Sequence, residues 1–174
     1  MAGGEGFVSP LVCHRTRVFC IGRGEDGLAA STTPFHVTHL RSDTMSQDTP
    51  SPASAPTADG MPMLGLGTWQ NEDHEQCADS VATALEMGYR HIDTAQIYGN
   101  EAAVGDGIAQ ADVDREDVFL ATKVWISELA HDDVLESTEE SLRKLGVDYV
   151  DLLYVHWPSG EYDPEPTLTA FDQL

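Results

Sequence analysis

The chain has little cysteine, little lysine and no long apolar run. Its three cysteines, Cys13, Cys20 and Cys77, are scattered and match neither a disulfide framework nor a zinc-binding spacing. No apolar stretch reaches the length that spans a bilayer, and the N-terminus lacks an apolar core followed by a small-residue cleavage site. These absences favour a cytoplasmic protein without membrane contact.

Basic residues are also scarce, and they are distributed unevenly along the chain. The sequence holds 9 basic and 30 acidic residues, and the lysines among them are Lys123 and Lys144. Residues 1–44 carry four charges of each sign, so the net charge of −21 falls on the part that begins at Met45. Such a surface repels nucleic acid and anionic membranes, and it stays soluble where salt screens self-repulsion. We interpret this excess of acidic residues as typical of proteins from a halophilic organism, whose proteome is acidic.

The chain divides into two regions of different character. Residues 1–59 show no steady periodicity, and the segment 42–59 is rich in Ser, Thr, Pro and Ala, which predicts disorder. Because the charge changes at Met45, we interpret that residue as the natural start; a genuine accessory tail is the alternative. We therefore expect a disordered or non-native extension over 1–59 and a folded region over 60–174.

Strands and helices alternate four times in the folded region. Short apolar runs predict the strands, which begin about 30 residues apart, as βα units of a parallel sheet do. Their near-continuous apolar character suits burial on both faces. The predicted strands are Met61–Trp69, Arg90–Ala95, Val118–Trp125 and Tyr149–Trp157, and the predicted helices are Asp73–Gly88, Glu101–Gln110, Asp132–Leu145 and one that begins near Pro166.

Two α/β architectures have this alternation, an open doubly wound sheet and a (β/α)8 TIM barrel. A complete barrel needs roughly 250 residues, so residues 60–174 correspond to about the first four βα units of one. A half-barrel of this kind leaves its first and fourth strands as exposed edges, which invites aggregation.

Ionisable side chains lie at the predicted carboxyl ends of neighbouring strands. Asp93 ends the second strand, Lys123 the third and His156 the fourth, and Tyr98 follows in the loop after the second. In a parallel barrel these positions meet on the face where active sites lie. An ammonium favours the phenolate form of a nearby tyrosine, a carboxylate holds the lysine in place, and a histidine can orient a carbonyl oxygen. The set therefore suits proton donation to a carbonyl group that accepts a hydride.

Four blocks of the sequence resemble the aldo-keto reductase family. They are LGLGTW, GYRHIDTAQIYGNE, LATKVW and SLRKLGVDYVDLLYVHWP, which together span Leu64–Pro158 in the family's order and spacing. The resemblance implies a (β/α)8 barrel that reduces aldehydes or ketones to alcohols with NADPH or NADH. It also implies a catalytic tetrad. In it, Tyr98 would be the general acid and Lys123 the group that activates it. Asp93 would be the partner of the lysine, and His156 would orient the carbonyl group.

The resemblance further implies contacts with the cofactor and with a small carbonyl substrate. Gly67, Thr68 and Asp93 are expected beside the nicotinamide. Trp69 and Trp125, together with His156, are expected beside the substrate, although core packing explains tryptophans at strand ends equally well. The family's later strands supply the residues that stack on the nicotinamide and grip the adenosine phosphate. We therefore expect the chain alone to bind cofactor weakly and to turn over little.

Two other functions stay open at this point. The same scaffold could serve a non-catalytic protein that binds a cofactor or a partner. The oligomeric state is also open, because no residue pattern indicates one. A metal-dependent barrel hydrolase is the other alternative, with His91, Asp93 and His156 as ligands. We give it little weight because Lys123 would place a positive charge among them.

A glycine pattern near the N-terminus is interpreted as a chance match. IGRGEDG contains Gly22, Gly24 and Gly27 in the G-x-G-x-x-G order of a dinucleotide-binding turn. Such a turn must open a helix within a βαβ unit, and Pro34 interrupts any helix that follows here.

Overall fold

The computed structural model of the chain describes residues 17–18 and 51–174. The expectations for Met45, Cys13, Cys20 and the glycine pattern 22–27 lie outside the described residues. The elements in chain order are the strands β1 (Arg17–Val18), β2 (Thr57–Ala58), β3 (Met61–Pro62) and β4 (Leu66–Gly67), then α1 (His74–Glu86), β5 (His91–Asp93), α2 (Glu101–Gln110), β6 (Phe119–Val124), α3 (His131–Leu145), β7 (Leu152–Val155) and α4 (Pro164–Gln173).

The strand order distinguishes between the two expected architectures. β4, β5, β6 and β7 lie side by side in chain order, and each pairing among them is parallel. Each of the four helices packs against its neighbour in the chain. A doubly wound sheet would instead reverse its strand order at a switch point. The arrangement is therefore that of consecutive βα units of a (β/α)8 barrel.

The helices confirm the predicted pattern closely, because their ends carry clear signals. Asp73 precedes α1, and its Oδ1 accepts a hydrogen bond of 2.9 Å from the backbone N–H of Gln76. Gly146 ends α3 in the left-handed conformation, with φ of 65°. The bounds of α2 are those predicted, whereas α4 begins at Pro164, two residues before Pro166.

The first predicted strand is wrong in extent, because the chain divides it between two sheets. Met61–Pro62 pairs antiparallel with β2, and Leu66–Gly67 alone joins the parallel sheet. The break comes where the chain crosses the His91 side chain, whose Nδ1 lies 3.0 Å from the carbonyl oxygen of Pro62. A Cβ at Gly65 would lie 2.8 Å from the His91 ring, so the close approach requires glycine.

Part of the segment expected to be disordered has a defined conformation. Pro52–Ser54 forms a 3-10 turn, which Ser51 caps by accepting from the N–H of Ala53 at 3.3 Å. β2 follows, and the N–H of Met63 donates to the carbonyl of Pro56 at 2.9 Å. Residues 51–59 therefore have a defined conformation, since the short hairpin satisfies backbone groups that a disordered segment would leave to water.

The open edge expected on the fourth strand is partly covered. β1 pairs in parallel with β7, with Arg17 opposite Leu152 and Val18 opposite Leu153. The expectation of an exposed edge is therefore wrong for these two positions of β7. None of the helices in the described part of the chain has the length and apolarity that a membrane crossing requires.

The core lies between the helices and the parallel sheet, and close helix packing supports it. A Cβ at Gly105 would lie 2.6 Å from the carbonyl carbon of Leu145, so α2 approaches the end of α3 more closely than any larger residue permits. The largest fully buried apolar side chains are Leu85, Ile92, Leu120, Leu129, Leu145 and Leu153.

Candidate active site

The strand register brings the predicted ionisable residues to one face of the sheet. Asp93 of β5 lies opposite Ala121 of β6, two residues before Lys123, so both side chains leave the same face. Lys123 in turn lies opposite Tyr154 of β7, and His156 follows two residues later. The sheet therefore gathers an acid, a lysine, a tyrosine and a histidine at its carboxyl edge.

The Lys123 ammonium forms the centre of this cluster. It donates to Asp93 Oδ1 at 2.5 Å, to the backbone carbonyl of Thr94 at 2.8 Å and to the hydroxyl oxygen of Tyr98 at 3.3 Å. Lys123 is 7% exposed, so these three acceptors take the place of water around its charge. An ammonium has three N–H donors and no acceptor, so its hydrogen-bonding capacity is filled.

The direction of these hydrogen bonds leaves the Tyr98 proton available. Because Lys123 only donates, the Tyr98 oxygen accepts in this contact, and its own O–H hydrogen is not used in it. The ammonium also lies 4.9 Å from the centroid of the Tyr98 ring. The arrangement can therefore deliver a proton and stabilise the phenolate that remains.

His156 lies beside Tyr98 and completes the predicted tetrad. The centroids of the two rings are 5.7 Å apart in an edge-to-face arrangement, and Trp125 lies 5.1 Å from the imidazole on another side. Burial, and then the Lys123 ammonium, lower the pKa of His156 below its ordinary value of 6.5, although Asp93 opposes this. The imidazole is therefore neutral at neutral pH and retains one N–H donor for a substrate oxygen.

Gln96 braces the short turn that carries Tyr98. Its Oε1 accepts from the backbone N–H of Trp125 at 2.8 Å, and its Nε2 donates to the Ser137 carbonyl and to Ser141 Oγ, each at 3.2 Å. The side chain therefore ties the Tyr98 loop to the end of β6 and to α3.

Asn100 and Thr68 connect the ends of the first two parallel strands. Asn100 Nδ2 donates to the carbonyl of Thr68 at 2.8 Å, and Thr94 Oγ1 donates to Asn100 Oδ1 at 3.2 Å. The Thr68 N–H and hydroxyl both donate to the Asp93 carbonyl, at 3.0 and 3.3 Å. Both donors of Thr68 are therefore used in hydrogen bonds to the Asp93 backbone. The position of Thr68 beside a nicotinamide stays a prediction.

The residues around Gly67 leave room for a flat ligand. A Cβ at Gly67 would meet no atom within 4 Å, and Trp69 beyond it is 68% exposed. His156 Nδ1 is buried and has no hydrogen-bond partner among the described residues. The open space beside Gly67 fits the nicotinamide that the sequence predicts here.

A metal site is not supported at the alternative position. His91 lies at the opposite end of β5 from the cluster, and its Nδ1 contacts the Pro62 carbonyl. Within residues 51–174, no three His, Cys, Asp or Glu side chains are placed so that they could hold a metal ion.

The profile described as "Aldo/keto reductase family" matches residues 63–174, which is more than half of the chain. The chain belongs to the aldo/keto reductase family.

Curated relatives match part of this aldo/keto reductase chain at high identity. Methylglyoxal reductase DkgB of Salmonella typhi is 54% identical over 99 residues, which cover 57% of this chain and 37% of that protein. The 9,11-endoperoxide prostaglandin H2 reductase of Trypanosoma cruzi is 49% identical over 98 residues, or 56% and 35% of the two chains. The match thus spans little more than a third of each relative's length.

Solved structures agree with the barrel assignment. An aldo/keto reductase of Brucella melitensis is 45% identical, with a TM-score of 0.61 over 66% of this chain and 44% of that one. An aldo-keto reductase of Bombyx mori in complex with NADP is 36% identical, with a TM-score of 0.59 over 64% and 42%. Identity at this level supports a shared fold and a nicotinamide cofactor for the family.

Sequence reasoning missed two side chains of this aldo/keto reductase site, Gln96 and Tyr154. Tyr154 donates its hydroxyl to Asp93 Oδ2 at 2.6 Å. It lies in β7, two residues before His156, which directly follows that strand, so strand periodicity alone places both on one face. Gln96 lies between Asp93 and Tyr98 in the chain, and no periodic signal marks it.

Glu101 is a buried carboxyl group behind the site. It is 2% exposed at the start of α2, and Thr122 donates to its Oε1 at 2.8 Å. Burial raises the pKa of Glu101 above its ordinary value of 4.5, while hydrogen bonds from Thr122 and Ser141 oppose the shift. The folded chain therefore holds this proton to a higher pH than the unfolded chain does.

Glu101→Gln should remove one component of the pH dependence of stability. Because the folded pKa is the higher one, the folded state binds more protons, and the free energy of unfolding should fall as pH rises from about 4.5 through that raised pKa. The glutamine variant should lack this decline. Urea unfolding across the acidic range measures it, with the exposed Glu86→Gln as control. An unchanged slope in Glu101→Gln would contradict the assignment.

Proposed function

We propose that this chain forms the first four βα units of a carbonyl reductase that uses NADPH or NADH and takes its proton from Tyr98. The observation that supports the proposal is the Lys123 ammonium, which contacts both Asp93 and Tyr98 and leaves the Tyr98 hydroxyl proton free. Neither a non-catalytic scaffold nor a metal hydrolase explains why these three groups are connected at the carboxyl ends of the strands.

Each group of the tetrad has a defined role in this reaction. When bound beside Gly67, Thr68 and Asp93, the reduced nicotinamide supplies the hydride that the carbonyl carbon accepts. Tyr98 donates its proton to the carbonyl oxygen, and the ammonium of Lys123 stabilises the phenolate that forms. The product is an alcohol.

The remaining residues orient the substrate and keep the lysine in place. His156 donates its ring N–H to the same carbonyl oxygen, which aligns the carbonyl group with Tyr98. Asp93 accepts a hydrogen bond from the Lys123 ammonium and holds it in place at the ends of the two strands. Trp69 and Trp125 provide apolar surface beside the substrate.

Small aldehydes and dicarbonyls are the first substrates that we propose. The Salmonella relative is named methylglyoxal reductase, and the match to it covers more than half of this chain. We also propose that the protein works in the cytoplasm, without contact with membranes or nucleic acid.

A fusion protein provides the test. This chain is joined to the remaining barrel units of the Salmonella relative, and NADPH oxidation is measured with methylglyoxal. We expect steady turnover by the fusion, and weak NADPH binding with little turnover by the 174-residue chain alone. A folded fusion that binds NADPH and reduces no carbonyl compound would contradict the proposal.

Salt should stabilise the protein if the acidic surface is an adaptation to a halophilic host. Residues 45–174 carry the whole net charge of −21, and salt near 1 M shortens the screening length to about 3 Å. We expect the melting temperature to rise with KCl up to this range. A neutral osmolyte at equal osmolality is the control, and a melting temperature that stays constant or falls with KCl would exclude the interpretation.

A further inference from the structure

Tyr154 is a second tyrosine at the site, and it contacts the side of the carboxylate that Lys123 does not use. Lys123 donates to Oδ1 of Asp93, whereas the Tyr154 hydroxyl donates to Oδ2 at 2.6 Å. The Asp93 side chain is 30% exposed, so its second oxygen would otherwise be free to rotate toward solvent or toward the ammonium.

The contact between Lys123 and Tyr98 is the weakest in the cluster. It is 3.3 Å long, whereas Lys123 lies 2.5 Å from Asp93 and 2.8 Å from the Thr94 carbonyl. A carboxylate that turned both oxygens to the ammonium would draw Lys123 away from this longest contact first. The Tyr154 hydroxyl opposes that rotation because it occupies Oδ2.

We propose that Tyr154 is a positioning residue for the proton donor: it holds Asp93 so that Lys123 remains in contact with Tyr98. The inference deepens the proposed function and rests on it for the role of Tyr98. Tyr154 acts through Asp93 and Lys123 and need not touch the substrate.

Tyr154 is itself poorly suited to replace Tyr98 as the acid. Burial, followed by the hydrogen bond and the negative charge of Asp93, raises the pKa of Tyr154 well above its ordinary value. Its hydroxyl proton is also committed to Asp93. The two tyrosines flank one lysine, with ring centroids 4.9 and 5.2 Å from Nζ, and they serve different purposes.

The experiment uses the small number of lysines in the chain. With ¹⁵N-labelled lysine, the ammonium groups of Lys123 and Lys144 give two signals, and Lys144 on α3 is the internal reference. Tyr154→Phe keeps the ring and removes only the hydroxyl. We expect the Lys123 signal to shift and its N–H protons to exchange roughly tenfold faster, the size expected for losing one hydrogen bond to a charged group. Lys144 should not change.

A double-mutant comparison separates positioning from a general loss of packing. Tyr98→Phe should alter the Lys123 signal in the unmodified chain and have no effect in the Tyr154→Phe background, where the contact is already lost. Tyr149→Phe is the matched control, because its ring lies over Arg115 and its hydroxyl donates to no described residue. An unchanged Lys123 signal in Tyr154→Phe, or additive effects of the two changes, would overturn the proposal.

Two further measurements keep the inference independent of folding defects and of catalysis. Should Tyr154→Phe unfold, the unmodified chain should show a slowly exchanging tyrosine hydroxyl proton that disappears in Asp93→Ala, which has no side-chain acceptor; its absence would contradict the inference. In the active fusion, Tyr154→Phe should lower kcat with little change in KM. The lysine signals report on positioning even when no carbonyl is reduced, so failure of the proposed function is distinguishable from failure of this inference.

Discussion

Tyr98→Phe in the fusion protein should lower kcat for carbonyl reduction by about 10²–10⁴-fold, the usual contribution of a positioned general acid. The phenylalanine ring keeps the edge-to-face contact with His156, whose centroid is 5.7 Å away, and lacks only the proton donor. NADPH should bind with an unchanged dissociation constant, because the residues proposed to hold the nicotinamide are untouched. Steady-state kinetics and fluorescence titration with NADPH measure the two quantities separately.

The control and the contradicting result follow from the same geometry. Tyr149→Phe also removes one tyrosine hydroxyl, but its ring contacts Arg115 at a distance of 4.2 Å and belongs to no part of the cluster, so kcat should not change. Undiminished turnover in Tyr98→Phe would exclude Tyr98 as the proton donor. A loss of NADPH binding together with kcat would instead indicate that Tyr98 contributes to the cofactor site.

The helices were predictable because their ends have local causes. Asp73 as an N-cap and Gly146 as a left-handed stop act within one turn, so the residues themselves determine where α1 begins and α3 ends. The division of the first strand has a distant cause. The His91 side chain on β5 meets the chain at Pro62 and Gly65, and such a contact exists only once the sheet has formed.

The candidate site shows the same distinction between local and distant causes. Asp93, Lys123 and His156 could be placed because each ends a strand, and parallel strands end at one edge. Tyr154 lies inside a strand, where an aromatic residue is ordinarily a packing residue. Its hydrogen bond to Asp93 spans 61 residues of sequence and depends on the exact register of β5, β6 and β7.

The site therefore depends on one cation that holds two strands and a loop together. Lys123 contacts Asp93 at the end of β5, the Thr94 carbonyl one residue later and Tyr98 in the following turn. The same three contacts that hold Lys123 beside Tyr98 also stabilise the fold, since a buried ammonium must have acceptors. A change at Lys123 should consequently affect stability as well as catalysis.

Lys123→Met should lower the free energy of unfolding by about 3 kcal/mol, the lower end of what the loss of one partner of a buried pair costs. The methionine leaves Asp93 without its cation, and the 30% exposure of the Asp93 side chain moderates the effect. Urea unfolding at fixed KCl measures it. Arg143→Met is the control, because Arg143 pairs with Glu140 on the exposed side of α3, and surface pairs contribute little.

The double variant Lys123→Met with Asp93→Asn decides whether the unpaired carboxylate causes this loss. If it does, removing its charge should restore a large part of the stability, because a neutral amide is much less costly to leave without a cation than a carboxylate. The Tyr154 hydroxyl can still donate to the carbonyl oxygen of the introduced amide, which preserves the link between β5 and β7. A double variant as unstable as the sum of the single changes would show that Lys123 stabilises the fold through packing of its apolar stem, and that its charge is retained for Tyr98 alone.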